Sequence, residues 1–367
     1  MRYLSVCSGI EAATVAWHPL GWTPVAFAEI EKFPSAVLAH HYPTVPNWGD
    51  MTKFQEWPDA CNCNSGSQQP GAAAIRRWLE GRRDDVHAEH SGSTHDRDLA
   101  YGATCAECGG AVIDLLVGGT PCQSFSVAGL RKGLADPRGN LALTYLAIAD
   151  KYRPEWLVWE NVPGVLSSGD GRDFGAFLGG LVELGYGWAY RVLDAQYFGV
   201  AQRRRRVFVV ASLRGWQRAA AVLFDSECLC GNPAPRREAG ERPAGTLKGG
   251  SGERGYPDPS DGNGGGLIAF SRDARGDELK AEDVSTLTAS QAAAAIGMQV
   301  RRLTPRECER LQGFPDDYTL VLYRGKPAAD GPRYKALGNS MAVPCMRWIG
   351  RRIQMVAEIN KPEAKSA

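Results

Sequence analysis

No stretch of this 367-residue chain stays apolar for the length a membrane-spanning helix needs, which removes the obvious case for a membrane protein. Net charge is almost absent too. The 42 Lys and Arg are balanced by 41 Asp and Glu, so bulk charge argues neither for nor against a polyanionic partner. No signal-like segment precedes the first β-rich run, which begins at Tyr3, and the expected compartment is the cytoplasm. In that setting ten cysteines read as thiols, a nucleophile or metal ligands before disulfides. The turn after the first run also lacks the second glycine of a GxGxxG pattern. Glu11 stands there, and an acid would repel a pyrophosphate, which argues against a dinucleotide.

What is present is an alternation. β-rich runs at Tyr3–Cys7, Pro24–Ala28, Val112–Val117, Trp156–Trp159, Arg191–Asp194 and Val207–Ala211 are separated by amphipathic stretches such as Phe33–His41, Leu141–Lys151 and Phe174–Leu184. The pattern predicts a doubly wound α/β sheet. Two segments break it. Residues 60–110 are polar, with four cysteines and three histidines. Residues 214–300 show no clear periodicity, and ten glycines fall within 240–266. So long an irregular stretch predicts a separate lobe or a functional loop. Residues 203–310 hold 18 Lys/Arg against 14 Asp/Glu, a small basic surplus. A helical pattern over Val343–Ile359 then predicts that the C-terminus closes the sheet domain.

The chemistry gathers at strand ends. Pro121-Cys122-Gln123 follows the third run on a turn, where a thiol can stand exposed as a nucleophile. Glu160-Asn161-Val162 ends the fourth run, and ligands of open parallel sheets bind at strand carboxyl ends. A thiol and a carboxyl there suit covalent attack on a ring that is protonated as it is attacked. Each also has a plainer reading: Cys122 a buried apolar residue, Glu160 a helix cap, Arg203–Arg206 a solvated basic run. At the first strand, the turn Ser5–Glu11 around Gly9 brings a ligand close to backbone amides. Glu29 comes twenty residues later, where an acid commonly takes ribose hydroxyls. Asp50, with Met51, could accept from an adenine amino group. Together these suit a nucleoside without phosphates.

These motifs, in this order, resemble those of the DNA (cytosine-5)-methyltransferases, bacterial or phage type. Pro121-Cys122-Gln123 is similar to the nucleophile motif and Glu160-Asn161-Val162 to the base-holding motif. Gln202-Arg203-Arg204-Arg205-Arg206 matches the family's QxRxR. The run Arg302 to Pro315 resembles the motif that scaffolds target recognition, and Gly338-Asn339-Ser340 the last motif, which folds onto the cofactor site. Cys7 replaces a usual aromatic, and Glu11 a usual glycine.

The resemblance implies an S-adenosylmethionine-dependent sheet domain over 1–213, a target-recognition lobe over 214–312 and a return to the sheet over 313–367. It implies that Cys122 adds to C6 of a flipped-out cytosine while Glu160 holds N3 and the exocyclic amine. Arg206, with Arg204 as second candidate, would contact the base O2 and steady Glu160. Cys7, Gly9, Ile10, Glu29, Ile30, Asp50, Met51, Pro121, Asn339 and Ser340 would hold S-adenosylmethionine. Gln202, Arg236, Arg237, Arg242, Arg272 and Arg275 would contact double-stranded DNA, and Thr246-Leu247 or Thr286-Leu287 resembles a pair the family uses in its lobe. A monomeric bacterial or phage enzyme is expected, with a cognate restriction endonuclease as genetic partner or a role protecting phage DNA. Rival readings are the same chemistry on tRNA, a catalytically silent DNA-binding regulator and a zinc-dependent binding module.

Cys61-Asn-Cys63 and Cys105-Ala-Glu-Cys108 match a structural zinc site in outline, although CxC is less usual than CxxC. His87, His90 and His95 are alternative ligands or plain loop residues. Cys228 and Cys230 have no matching pair.

Overall fold

A computed structural model describes residues 1–61, 110–121, 141–224, 268–271, 298–301 and 303–359. The first apolar run, Arg2–Val6 (β1), lies inside the sheet rather than at its edge. It pairs in parallel with Thr23–Ala28 (β2) on one side and Leu115–Gly118 (β3) on the other. Trp156–Asn161 (β4) adds in parallel to β3. Gly187–Asp194 (β5) and Arg205–Ser212 (β6) complete six strands in the order β2-β1-β3-β4-β6-β5.

The central strands read as continuous apolar runs because both faces are covered. Alternation sorts each one. Tyr3, Leu115, Val117, Trp156, Val158 and Phe208 face one core, whereas Leu4, Val6, Leu116, Leu157, Trp159 and Val209 face the other. The first core is closed by Ala12–Trp17 (α1), Lys32–His41 (α2), Trp216–Leu223 (α5) and Val343–Glu358 (α8). The second is closed by Leu141–Tyr152 (α3) and Arg172–Glu183 (α4). Between α5 and α8 come Pro305–Gln312 (α6) and Asp330–Asn339 (α7). Two antiparallel pairs are short: Ile268–Ser271 (β7) with Met298–Arg301 (β8), and Leu322–Tyr323 (β9) with Lys326–Pro327 (β10).

The α/β sheet is as the alternation predicts, with three differences. β5 and β6 run antiparallel to their neighbours, so the sheet is mixed. β3 starts at Leu115, not Val112. Ala111, Val112 and Ile113 are apolar because they are buried, and of the three only Ala111 is bridged, to Ala60. Finally, α5 lies within the 214–300 stretch expected to be irregular. Its buried Arg218, Ala219, Val222 and Leu223 pack on the sheet domain, and two turns are too short to give a clear period.

The C-terminus is tied to the start of the chain. Trp17 donates its indole N–H to Met346 O at 2.7 Å. Helix α8 comes so close there that a Cβ on Gly350 would lie 2.4 Å from the Trp17 ring.

Candidate active site

The ends of three strands, β1, β3 and β4, and one returning segment build the site. After β1 the backbone turns sharply: Cys7, Gly9 and Glu11 all have left-handed backbones, with φ of 49°, 58° and 67°. Only glycine adopts that region without strain, so two of the three positions store some. The turn is held from below. Ser8 Oγ donates to Ser5 O at 2.8 Å and accepts from Ala28 N at 3.1 Å. Gly9 N donates to Glu29 Oε2 at 2.8 Å, and Glu31 N donates to Glu29 Oε1 at 2.7 Å. Burial raises the Glu29 carboxyl, and those backbone N–H groups pull it back.

Asp50 caps the turn Met51–Glu56 by accepting from Thr52 N at 2.9 Å. Cys7 Sγ lies 3.1 Å from Met51 Sδ. Burial first, then Glu29 and Asp50, push the Cys7 thiol up to about 12, so it is an uncharged packing group, not a nucleophile. Ile30, beside Glu29, is exposed although large and apolar.

The second wall comes from β3 and β4. Trp159 Nε1 donates to Thr120 Oγ1 and Asn161 Nδ2 to Thr120 O, each at 3.0 Å, which pins the turn just before Pro121. Glu160 is 8% exposed. Arg206 Nε is 3.1 Å from its Oε1, an ion pair not aligned as a hydrogen bond. Burial raises Glu160's carboxyl above its ordinary range, opposed by Arg206 and then Arg204. Gly119 lies close to Glu160 and Met341, since a Cβ there would come 3.1 Å from Glu160 Oε2 and from Met341 Cε and would press on them.

Arg206 reaches Glu160 because β6 is antiparallel. Its amino end lies beside the carboxyl end of β4, with Asn161 opposite Val207. The run before β6 is extended, so neighbours point opposite ways: Gln202 and Arg204 are buried, whereas Arg203 and Arg205 are exposed.

The two arginine candidates nonetheless take different partners. Arg204 donates to Gly338 O at 3.1 Å and Ser340 O at 2.7 Å, clamping the last motif to the sheet. Gln202, expected on DNA, is fully buried and presents no exposed face. Ile10, expected on the cofactor, is fully buried in the first core, and its carbonyl accepts from Tyr318 Oη at 2.9 Å.

A cleft opens between these walls. It is lined by Ser5, Cys7, Ser8, Gly9, Glu11, Ala12 and Ala13 from the β1 side, Val117, Gly119 and Glu160 from β3 and β4, and Asn339, Ser340 and Met341 from the returning segment. Expected residues Cys7, Gly9, Glu160, Asn339 and Ser340 therefore share one cleft, with Glu29 bonded to its rim at Gly9. Gly119 and Met341 were not singled out from the sequence. Their signals were adjacency, to Pro121-Cys122 and to Asn339-Ser340.

Cys122, Arg236, Arg237, Arg242, Arg272, Arg275, Thr246-Leu247 and Thr286-Leu287 lie outside the residues whose side chains are described, as do Cys63, Cys105, Cys108, Cys228, Cys230 and the three histidines. Cys61 is described, and its N–H donates to Ala111 O at 3.0 Å. Among the described residues, no three His, Cys, Asp or Glu gather as a metal site, and no helix is long and apolar enough to cross a membrane.

The mixed sheet with helices on both faces fits the α/β fold of S-adenosylmethionine-dependent methyltransferases. The chain belongs to the C-5 cytosine-specific DNA methylase family, whose model matches residues 90–228 and 252–355. It is 36% identical to the "DNA N-6-adenine-methyltransferase" of Escherichia phage P1, over 96% of this chain and 61% of that protein. It is 25% identical to Type II methyltransferase M2.BsuMI of Bacillus subtilis, over 96% of this chain and 75% of the other. Among solved structures, the S. pombe Dnmt2 methyltransferase shares the fold, with a TM-score of 0.52 at 15% identity over 98% of this chain and 99% of that one.

Proposed function

We propose that this chain transfers a methyl group from S-adenosylmethionine to C5 of a cytosine flipped out of duplex DNA. The observation that supports this most is the Glu160–Arg206 pair, buried beside the turn that leads to Cys122. Cytosine C5 is a poor nucleophile, and the residues answer that. The Cys122 thiolate bonds to C6, and the C5–C6 π electrons move toward C5. Glu160, with its pKa raised by burial, can carry a proton to N3 and neutralise charge developing on the ring. Arg206 keeps Glu160 oriented, and its guanidinium is available to the base O2. Loss of the C5 proton then re-forms the double bond and expels the thiolate.

The residues present fit the methyl donor, which supplies an electrophilic methyl on its sulfonium. Gly9 leaves open space above the turn. Glu29 stands where ribose hydroxyls would be held, Asp50 where an adenine amino group would be, and exposed Ile30 offers an apolar platform. Asn339 and Ser340, clamped by Arg204, close the opposite side.

Sequence specificity belongs to the 214–312 segment in this reading, and a restriction-modification role fits the Type II relatives. The name of the phage relative favours a second reading, N6 methylation of adenine. An amino nitrogen is nucleophilic without a covalent partner, so that chemistry leaves Pro121-Cys122-Gln123 without a task.

Methyl-labelled S-adenosylmethionine offered with duplex DNA or tRNA, followed by nucleoside analysis, decides. Label should appear as 5-methylcytosine in DNA, Cys122→Ser should abolish it, and 5-fluorocytosine duplex should trap the wild type covalently. Label in N6-methyladenine, in tRNA alone, or in neither substrate would overturn the proposal.

A further inference from the structure

Of the two carboxyls that line the cleft, Glu160 and Glu11, the reaction above leaves Glu11 unused. It is fully buried and held in a left-handed backbone at φ 67°. One carboxyl oxygen, Oε1, caps α1 by accepting from Thr14 N and Thr14 Oγ1, each at 3.1 Å. The other, Oε2, has no hydrogen-bond partner, although the Ser5 hydroxyl lies near the carboxyl. Among the described residues no Lys, Arg or His forms an ion pair with Glu11 or with the neighbouring Glu29. The groups that face Glu11 are acids and phenols: Glu29 at the end of β2, Tyr3 on β1, Tyr42 after α2 and Tyr318 before β9.

A capping role alone does not account for this. Asn, Ser or Thr caps a helix without burying a charge, and glycine would remove the backbone strain. A buried carboxyl with one empty oxygen on a cleft wall is instead a half-built ion pair. We propose that Glu11 is the counter-ion for the ammonium group of the methionine end of S-adenosylmethionine. The sulfonium, the other cation of that molecule, belongs beside Glu160, where the methyl is delivered. The ammonium is the charge left for the β1–α1 turn. This inference rests on the cleft's being the S-adenosylmethionine site.

Burial raises the Glu11 pKa to about 7, partly offset by the nearby Ser5 hydroxyl and by Thr14. Empty, the carboxyl is therefore part-protonated near neutrality, and an arriving ammonium draws it into the charged form.

Three ligands separate the possibilities by calorimetry: S-adenosylmethionine, S-adenosylhomocysteine, and 5′-methylthioadenosine, which keeps the nucleoside but has no amino-acid end. Glu11→Gln, which retains an acceptor for Thr14, should weaken the first two by about tenfold or more and leave the third unchanged. Glu11→Gly, which relieves the left-handed backbone, should behave the same way. Wild-type affinity for S-adenosylhomocysteine should rise as pH climbs through about 7 and fall as the ligand's amino group deprotonates at roughly 7.7–8.0. Glu11→Gln should keep only the falling limb.

Equal weakening of all three ligands would make Glu11 a structural cap and overturn the inference, as would unchanged binding of all three. Weakening of S-adenosylmethionine alone would assign the sulfonium, not the ammonium, and overturn it too. If the wild type bound none of the three, the cleft reading itself would fall.

Discussion

Breaking the Glu160–Arg206 pair from either side should give two different pH signatures. Two unit charges 3.1 Å apart attract by about 5 kcal/mol at an effective dielectric near 20, before desolvation is subtracted. The side chains are only 11% and 14% exposed, so removing one partner strands the other with little water to replace it. Each single change, Glu160→Gln or Arg206→Met, should cost about 3 kcal/mol of folding stability at pH 8. The double variant should cost less than their sum by at least about 1.5 kcal/mol. Urea denaturation of the four proteins completes the cycle.

The pH dependence follows from Glu160's raised carboxyl. A carboxyl that binds its proton more tightly when folded contributes stability at low pH, and that contribution is lost as pH rises through the raised value. Arg206→Met removes the strongest influence holding that value down. This variant should approach wild-type stability near pH 5 and fall steadily toward pH 8, whereas Glu160→Gln should show no such slope. Methyl transfer should be lost in both at either pH. Additivity of the two changes within about 0.5 kcal/mol would mean the pair is not coupled, and the account of the site would fail.

Two further changes test the frame. Gly350→Ala should destabilise by roughly 1–3 kcal/mol in urea, because its Cβ would meet a fully buried indole fixed by its own hydrogen bond; Gly331→Ala, with open space around it, should be near neutral. Unchanged stability of Gly350→Ala would show that α1 and α8 separate easily. Glu309→Gln should cost roughly 2–3 kcal/mol, since fully buried Glu309 accepts from Thr319 N at 2.8 Å, from the Thr319 hydroxyl and from Arg333 at 3.2 Å. Asp317 and Asp330, at 3.9 and 3.6 Å, only partly compensate Arg333, and a wild-type unfolding midpoint would refute that estimate.

The two-sided burial of the central strands made them legible in the sequence. Leu-Val-Trp at 157–159 can hardly be anything else once its neighbours alternate with amphipathic helices. Strand direction was not legible, because side-chain alternation is the same in either sense. The end of β6 that meets Glu160 therefore had to be seen. The same blindness left Arg204 and Arg206 as joint candidates. An extended backbone sends residues two apart to the same side, yet here β6 begins between them, and one reaches the carboxyl while the other clamps Ser340.

Helix α6 did carry a signal, the Thr304–Glu307 capping box, with Thr304 N donating to Glu307 Oε2 at 2.7 Å. Helix α7 carried signals against itself, with Gly331, Pro332 and Gly338 inside ten residues. Its buried Arg333, Ala336 and Leu337 decided the matter through tertiary packing. Glu11 was visible as a departure from glycine, but its direction and its empty oxygen belong to the fold.

The clamp from Arg204 to Gly338 and Ser340 has a consequence in time. The cleft's first wall is made by residues 5–13 and its last wall by Asn339, Ser340 and Met341, which are synthesised later. At about 5–20 residues per second, roughly 20–70 s separate the two on the ribosome. Late in that interval, once β6 has emerged, the nascent chain can assemble β1 to β6 and even set Glu160 against Arg206, yet the segment that closes the cleft is still missing. Competence arrives in one late event, when the final helices dock on Trp17. An unfinished chain therefore has the sheet before it has the finished cleft.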